Sequence, residues 1–274
     1  MTAPLFQIDG LRLSLPDMTR KPLIGPAPRI EILKGLTFDI AVGATLGVVG
    51  ESGSGKSTLG RALVRLYEPT SGTIRFDGRD VTHLPEQALR PLRRDLQVIF
   101  QDPYSSLNPR KSVGAIIAAP VLFHGLASTA AEARDCAAAA LGAVGLNGGF
   151  ASRYPHELSG GQRQRIGIAR AIALSPRFVL ADEVVSGLDV SSQAQILDLL
   201  ARLRDEYKLT LAFISHDLSV VRRLSDRVIV MRSGEIVEDR ETAALFAAPE
   251  HPYTRQLLAA IPLPEIDPAW LEAD

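Results

Sequence analysis

The strongest chemical signal in this sequence lies in residues 47–58, Gly-Val-Val-Gly-Glu-Ser-Gly-Ser-Gly-Lys-Ser-Thr. Gly50, Gly55, Lys56 and Ser57 satisfy the pattern G-x-x-x-x-G-K-[ST], which is typical of a phosphate-binding loop. The glycines let backbone N–H groups turn toward one point, where they form a nest for anions at a helix start. Lys56 adds a positive charge for the β- and γ-phosphates, and Ser57 offers a hydroxyl to Mg²⁺. The alternative is a Gly/Ser turn with a chance lysine.

The segments that flank this stretch favour the phosphate-binding interpretation. Residues 45–49 are predicted to form a short buried strand, and apolar residues recur at helical spacing from Thr58 to Tyr67. Pro69 ends that helix. A glycine-rich loop between a strand and a helix is the setting that such a loop requires. The residues predicted to hold the nucleotide here are Gly50, Glu51, Ser52, Gly53, Ser54, Gly55, Lys56, Ser57 and Thr58.

Two carboxylates, Asp182 and Glu183, directly follow the apolar run 178–181. They are expected at the carboxyl edge of a sheet, where open α/β folds bind ligands. Asp182 would hold Mg²⁺, and Glu183 would be the base that polarises an attacking water. His216 follows the apolar run 211–214 in the same way, so it could reach the same site. Alone, such a pair is an ordinary acidic turn, and a lone histidine is usually a surface or core residue.

A second glycine-rich helix start occurs at residues 158–162, Leu-Ser-Gly-Gly-Gln. It suits a second phosphate contact, although alone it could be a turn in which Ser159 caps a helix. Gln101 ends the strand-like run 96–101 and could be merely a strand end.

Composition limits the classes of function. The chain has 274 residues, of which 46% are hydrophobic and 22% charged, as in an ordinary soluble globular protein. The net charge of −1 gives no basic field for nucleic acid. The one cysteine, Cys136, excludes a disulfide framework or an iron–sulfur cluster. Neither a secretory signal nor a run of apolar residues long enough to span a bilayer is evident, so a cytoplasmic protein is expected.

The order of the predicted elements indicates an α/β fold with a mainly parallel sheet, because strands alternate with helices along the chain. Residues 5–15 show an edge-strand pattern, and 71–78 and 228–237 are predicted hairpin segments. From 112 to about 147 the composition shifts to Ala, Ile and Leu, which indicates a helical insertion.

In this order, the stretches resemble the nucleotide-binding subunit of ABC transporters over nearly the whole chain. The matching motifs are the Walker A loop at 50–57, the glutamine loop at Gln101, the signature at 158–162, the Walker B strand ending in Asp182-Glu183, the D-loop at 186–189 and the switch His216. Residues 100–110, 188–196 and 251–258 are similar to the oligopeptide/dipeptide importer subfamily, which includes nickel and glutathione importers.

The resemblance implies a P-loop NTPase fold with a mainly parallel core sheet, an antiparallel β subdomain and a helical subdomain. Residues 1–245 would form the ATP-binding domain, with the helical subdomain at about 102–157, and 246–274 a C-terminal extension. The implied cofactors are ATP and Mg²⁺. Gln101 would be a metal ligand beside Ser57 and Asp182, and it would act with Glu183 and His216 in hydrolysis.

The resemblance also implies partners. Two ABC ATPase subunits, identical or different, would sandwich two ATP molecules, so that Ser159, Gly160, Gly161, Gln162 and Asp189 face the partner's nucleotide. Two transmembrane permease subunits and an extracytoplasmic solute-binding protein would complete an importer for peptides or a related small solute. The chain would sit peripherally on the cytoplasmic face of the inner membrane.

The chain departs from the family pattern at two positions. Leu15 stands where an aromatic side chain usually stacks on adenine, and Val184 stands where a proline often follows the Walker B glutamate. Residues 246–264 are predicted to be a packed extension rather than catalytic machinery, so truncation after Ala244 is expected to leave ATP binding intact.

Three alternatives to an importer ATPase remain at this point: a soluble ABC-type ATPase of DNA repair or translation, a regulatory ABC subunit, and a subunit that does not hydrolyse ATP. The absence of sustained heptads between the two glycine-rich stretches disfavours the first. The presence of Lys56, Asp182, Glu183 and His216 disfavours the last.

Overall fold

The computed structural model describes residues 4–22, 25–102 and 106–260, and these residues form two β-sheets with helices around them. The strands are β1 (Phe6–Pro16), β2 (Arg29–Ile40), β3 (Thr45–Val49), β4 (Ser71–Phe76), β5 (Arg79–Asp80), β6 (Leu96–Ile99), β7 (Phe178–Asp182), β8 (Thr210–Ile214), β9 (Arg227–Arg232) and β10 (Glu235–Glu241). The helices are α1 (Lys56–Leu63), α2 (Glu86–Leu89), α3 (Val113–Phe123), α4 (Ala130–Ala143), α5 (Gly160–Ile172), α6 (Val190–Tyr207), α7 (Leu218–Leu224), α8 (Thr242–Ala247) and α9 (Pro252–Ala259).

The larger sheet has the strand order β10-β9-β3-β8-β7-β6. All neighbouring pairs are parallel except β9 and β10, which form an antiparallel hairpin. Every residue of β3, β7 and β8 is buried, as expected of central strands that are covered on both faces. The carboxyl ends of β3, β8, β7 and β6 therefore lie side by side at one edge.

The smaller sheet is antiparallel, with the order β2-β1-β4-β5. The prediction that the first strand lies at a sheet edge is wrong, because β1 pairs with both β2 and β4. Alternation of apolar and polar residues shows that one face is buried, but it carries no information about how many neighbours a strand has.

An aromatic cluster joins the two sheets. The ring of Phe6 in β1 lies 4.7 Å from that of Phe178 in β7 and 5.0 Å from that of Phe76 in β4. The guanidinium of Arg177 donates two hydrogen bonds to the carboxylate of Asp77 beside this cluster. This contact fixes the small sheet against the sheet that carries the phosphate loop.

These features confirm the predicted fold class of a P-loop α/β protein with an antiparallel sheet and a helical region. Helices α3 and α4 fall within the predicted helical subdomain at about 102–157, whose boundaries, like those at 245 and 246, stay predictions. Residues 261–274 of the predicted extension and 103–105 of the predicted loop at 100–110 lie outside the described residues. Within the described ranges, no helix is both long and apolar enough to cross a membrane.

Candidate active site

The phosphate loop, residues 50–57, connects β3 to α1. Gly50, Gly53 and Gly55 have φ angles of 147°, 80° and 104°, a left-handed range that favours glycine. A methyl group on Gly50 would also collide with the carbonyl oxygen of Met231, which is backbone and cannot move aside. The backbone geometry of the loop therefore favours glycine at all three positions, including Gly50 and Gly55 of the consensus pattern.

Lys56 turns back into this loop. Its Nζ donates 2.8 Å hydrogen bonds to the carbonyl oxygens of Gly50 and Glu51, and the residue is only 5% exposed. Burial lowers the pKa of Lys56, while the nearby carboxylates of Glu183, Asp182 and Glu51 act in the opposite direction. The ammonium group is thus held by carbonyl dipoles in a site where a phosphate would supply a full negative charge.

Ser57 and Asp182 meet between α1 and the end of β7. The Ser57 hydroxyl donates a 2.8 Å hydrogen bond to Oδ1 of Asp182. Burial raises the pKa of Asp182, against the hydrogen bond from Ser57 and the charges of Arg61 and Lys56. A hydroxyl and a carboxylate oxygen at this separation fit Mg²⁺, which commonly takes one or two protein ligands and completes its shell with water and substrate phosphates.

Glu183 is the meeting point of the other predicted catalytic side chains. Nε2 of Gln101 donates a 3.0 Å hydrogen bond to Oε2 of Glu183, and Nδ1 of His216 lies 3.8 Å from the same oxygen. Glu183 has a φ of 50°, so the chain turns sharply as it leaves β7 and Glu183 departs from the line of the strand. The structure therefore brings Gln101, Glu183 and His216 together; the predicted ligation of metal by Gln101 stays a prediction.

A cavity of about 450 Å³ opens beside these groups. The described residues that line it are Arg61, Phe100, Gln101, Asp102, Ser106 and Asp182. Neither the signature at 158–162 nor the phosphate loop at 50–57 is among these lining residues, so the cavity lies beside Gln101 and Asp182.

The signature starts helix α5, and its polar side chains form a capping box. Ser159 Oγ accepts from the Gln162 amide at 3.3 Å, and Gln162 Oε1 accepts from the Ser159 amide at 3.1 Å. Asp189 caps the neighbouring helix α6 by accepting from the amide and the hydroxyl of Ser192. A methyl on Gly161 would lie 3.7 Å from Ser192 Oγ, so the two helix starts adjoin each other. Ser159 and Asp189 are both exposed and accessible to a partner.

Two side chains that touch the site were not predicted. Arg61 Nη2 lies 4.0 Å from Asp182 Oδ2 and lines the cavity; its position four residues after Ser57 on α1 is a signal that could have identified it. Tyr253 contacts the phosphate loop through its hydroxyl, which accepts a 3.0 Å hydrogen bond from the Glu51 amide. No spacing rule connects positions so far apart in sequence.

The two residues that depart from the family pattern, Leu15 and Val184, have apolar neighbours. Leu15 is half-buried and pairs with Ile30 between β1 and β2, and Ile30 is 49% exposed. Val184 is 1% exposed and packs in the hydrophobic core.

Comparison with known proteins finds close relatives. A family model described as "ABC transporter" matches residues 33–186. The oligopeptide transport ATP-binding protein OppF of Bacillus subtilis is 48% identical over 268 residues, which are 97% of this chain and 85% of that protein. The oligopeptide transport ATP-binding protein AppF of the same organism is 51% identical over 235 residues, 85% of this chain and 71% of that protein. A solved dimer of the ATP-binding cassette MJ0796, in a post-hydrolysis state bound to ADP and Pi, matches with a TM-score of 0.76 at 29% identity, covering 86% of this chain and 98% of that one.

Proposed function

Because this chain belongs to the ABC transporter family, we propose that it is the ATP-hydrolysing subunit of a peptide importer. One observation carries the hydrolytic part of this proposal. The hydroxyl of Ser57 contacts Asp182, the next residue is Glu183, and Glu183 holds Gln101 and lies beside His216. Phosphate cradle, cation ligands and a candidate base therefore share one edge of the sheet.

In this proposal the phosphate loop binds the nucleotide before any chemistry occurs. The loop amides and Lys56 take the β- and γ-phosphates, so Lys56 exchanges two carbonyl contacts for charged oxygens. Ser57 and Asp182 would hold Mg²⁺, which would supply positive charge for the phosphate oxygens.

Hydrolysis is assigned to Glu183. Its carboxylate accepts a proton from a water molecule as that water attacks the γ-phosphorus, and the bond from phosphorus to the leaving oxygen of ADP breaks. Gln101 and His216 orient the carboxylate and the water, since both lie beside Oε2 of Glu183. We therefore expect loss of Glu183 to affect turnover far more than nucleotide binding.

The signature is assigned to the nucleotide of a partner subunit. The start of α5 presents the exposed Ser159, and the adjoining start of α6 presents the exposed Asp189. A second ABC ATPase subunit, identical or different, would place its phosphate loop there.

The remaining partners follow from the importer assignment. The pair of ATPase subunits would bind the cytoplasmic side of two transmembrane permease subunits, and an extracytoplasmic solute-binding protein would deliver the solute. The names of OppF and AppF favour peptides as the solute and an importer over a soluble ATPase of DNA repair or translation.

The test distinguishes ATP binding by one chain from ATP hydrolysis at a site that two chains share. Ser159→Arg should leave ATP affinity of the isolated chain nearly unchanged, because Lys56 and its loop are untouched, and should abolish ATP hydrolysis in the assembled transporter. Lys56→Ala should weaken ATP binding by the isolated chain itself. Ser71→Arg, at an exposed serine of the small sheet, is the matched control and should keep both properties. If Ser159→Arg weakens binding to the isolated chain as much as Lys56→Ala does, the signature serves its own chain and the shared arrangement is wrong.

A further inference from the structure

The C-terminal helix α9 returns to the phosphate loop. Tyr253, at the start of this helix, is 3% exposed, and its hydroxyl accepts a 3.0 Å hydrogen bond from the backbone amide of Glu51. The sequence predicts a packed extension here, separate from the catalytic machinery. The structure instead connects the extension to the second residue of the Walker A loop.

The contact engages the same peptide group that holds Lys56. The carbonyl of Gly50 and the amide of Glu51 belong to one planar unit, so they rotate together. The carbonyl accepts a 2.8 Å hydrogen bond from Lys56, and the amide donates to Tyr253 on the other side. Tyr253 therefore fixes the plane of the peptide that orients the lysine ammonium.

The hairpin β9–β10 holds the tyrosine in place. The guanidinium of Arg232 lies 5.0 Å from the centre of the Tyr253 ring, within cation–π distance. The carboxylate of Glu238, 7% exposed, accepts from the amides of Glu250 at 2.9 Å and His251 at 3.0 Å, and so anchors the start of α9. The position of the tyrosine hydroxyl is thus set by the core sheet and not by α9 alone.

We propose that Tyr253 is a positioning residue for nucleotide binding, which keeps the phosphate loop and Lys56 oriented before the nucleotide arrives. The inference rests on the proposed function, since it assigns a role in the same ATP site. An oriented loop loses less conformational freedom on binding, and a loop whose peptide can rotate must be ordered by the ligand. ATP and ADP bind the same loop, so we expect Tyr253 to contribute to the affinity for both nucleotides.

Tyr253→Phe in the full-length chain tests this role, because it removes one hydroxyl and keeps the ring beside Arg232. The dissociation constants of ATP and ADP should rise together by about 2- to 10-fold, the range expected for one lost hydrogen bond. In the assembled transporter the KM for ATP should rise by a larger factor than kcat falls. Amide hydrogen exchange of residues 50–55 should accelerate without nucleotide. Tyr207→Phe, at a half-buried tyrosine of α6, is the matched control and should change none of these.

A second variant tests the route of the effect. Glu238→Gln weakens the anchor of α9 without touching the loop, so it should raise the dissociation constants in the same direction. Combined with Tyr253→Phe it should add little, because the two residues act through one contact. Truncation after Ala244 removes Tyr253 and should weaken ATP binding at least as much as Tyr253→Phe.

The inference would be overturned if Tyr253→Phe lowered only the Tm and left the dissociation constants of ATP and ADP and the amide exchange of residues 50–55 unchanged. Tyr253 would then be a packing residue. That result would leave the proposed function intact provided that the wild-type chain binds ATP and Lys56→Ala does not. Failure of the wild-type chain to bind ATP would overturn the proposed function and the inference with it.

Discussion

Replacing Gly47 by alanine should force helix α7 away from the core sheet. Gly47 is the central residue of β3, and a methyl group there would lie 2.5 Å from Val221 Cγ1 and 2.6 Å from Ser225 Oγ. Two carbon atoms normally approach to about 3.5–4.0 Å, so α7 would have to retreat by about 1 Å. Val221 is fully buried, and its branched side chain leaves little freedom to move aside.

The expected cost follows from this overlap. Overpacking of a close-packed interior costs about 1–3 kcal/mol, and an overlap of this size points to the upper half of that range. For a chain of this size, about 2–3 kcal/mol lowers Tm by about 4–12 °C. Helix α7 begins shortly after His216, so its displacement should also move His216 away from Glu183 and reduce turnover.

Urea denaturation of the nucleotide-free chain, followed by circular dichroism, measures the free energy of unfolding. Gly167→Ala is the control, because Gly167 lies inside α5 where an added methyl meets no other atom within 4 Å. It should be stabilised by up to about 1 kcal/mol through helix propensity. Val221→Ala should partly rescue Gly47→Ala by removing the overlapping methyl groups. A Gly47→Ala variant as stable as wild type, or strict additivity with Val221→Ala, would refute the reasoning.

Two further predictions concern carboxylates. Glu183→Gln should bind ATP normally, slow turnover in the assembled transporter by roughly 100-fold or more and accumulate as a closed dimer; near-normal turnover would rule out Glu183 as the base. Burial acts to raise the pKa of Glu238, but hydrogen bonds from the amides of Glu250 and His251 outweigh it, so the pKa lies below its usual 4.5. The stabilisation by ionised Glu238 is therefore complete above pH 4.5 and is lost as the pH falls through the lowered value. The difference in unfolding free energy between wild type and Glu238→Gln should shrink in acid; a constant difference across this range would contradict that assignment.

The parts of the site that are predictable from sequence are those whose chemistry is local. The phosphate loop needs adjacent glycines and a lysine, and Asp182 needs only an apolar strand before it. Each signal lies within one strand and one turn, so periodicity and motif spacing detect it.

Contacts that depend on the packing of distant elements were not predictable. Tyr253 contacts the phosphate loop because the hairpin β9–β10 positions the start of α9 beside it. A local sequence pattern does not predict this long-range contact. The neighbours of β1 were misassigned for the same reason, since alternation reports burial of a face and not the number of paired strands.

The order of strands explains why these particular side chains meet. The phosphate loop follows β3, His216 follows β8, Asp182 and Glu183 lie at the end of β7, and Gln101 follows β6. These four strands are neighbours in the order β3-β8-β7-β6, although they are far apart along the chain.

Parallel pairing places all four carboxyl ends at one edge. The phosphate loop, His216, the proposed cation ligand and base, and Gln101 therefore follow one another along this edge in the order of the strands. The register Asp182↔Ile214 aligns the last residues of β7 and β8. A slip of one residue in β7 would turn Asp182 to the opposite face, away from Ser57. The buried apolar residues of β7 therefore hold Asp182, the proposed metal ligand, in position as well as forming the core.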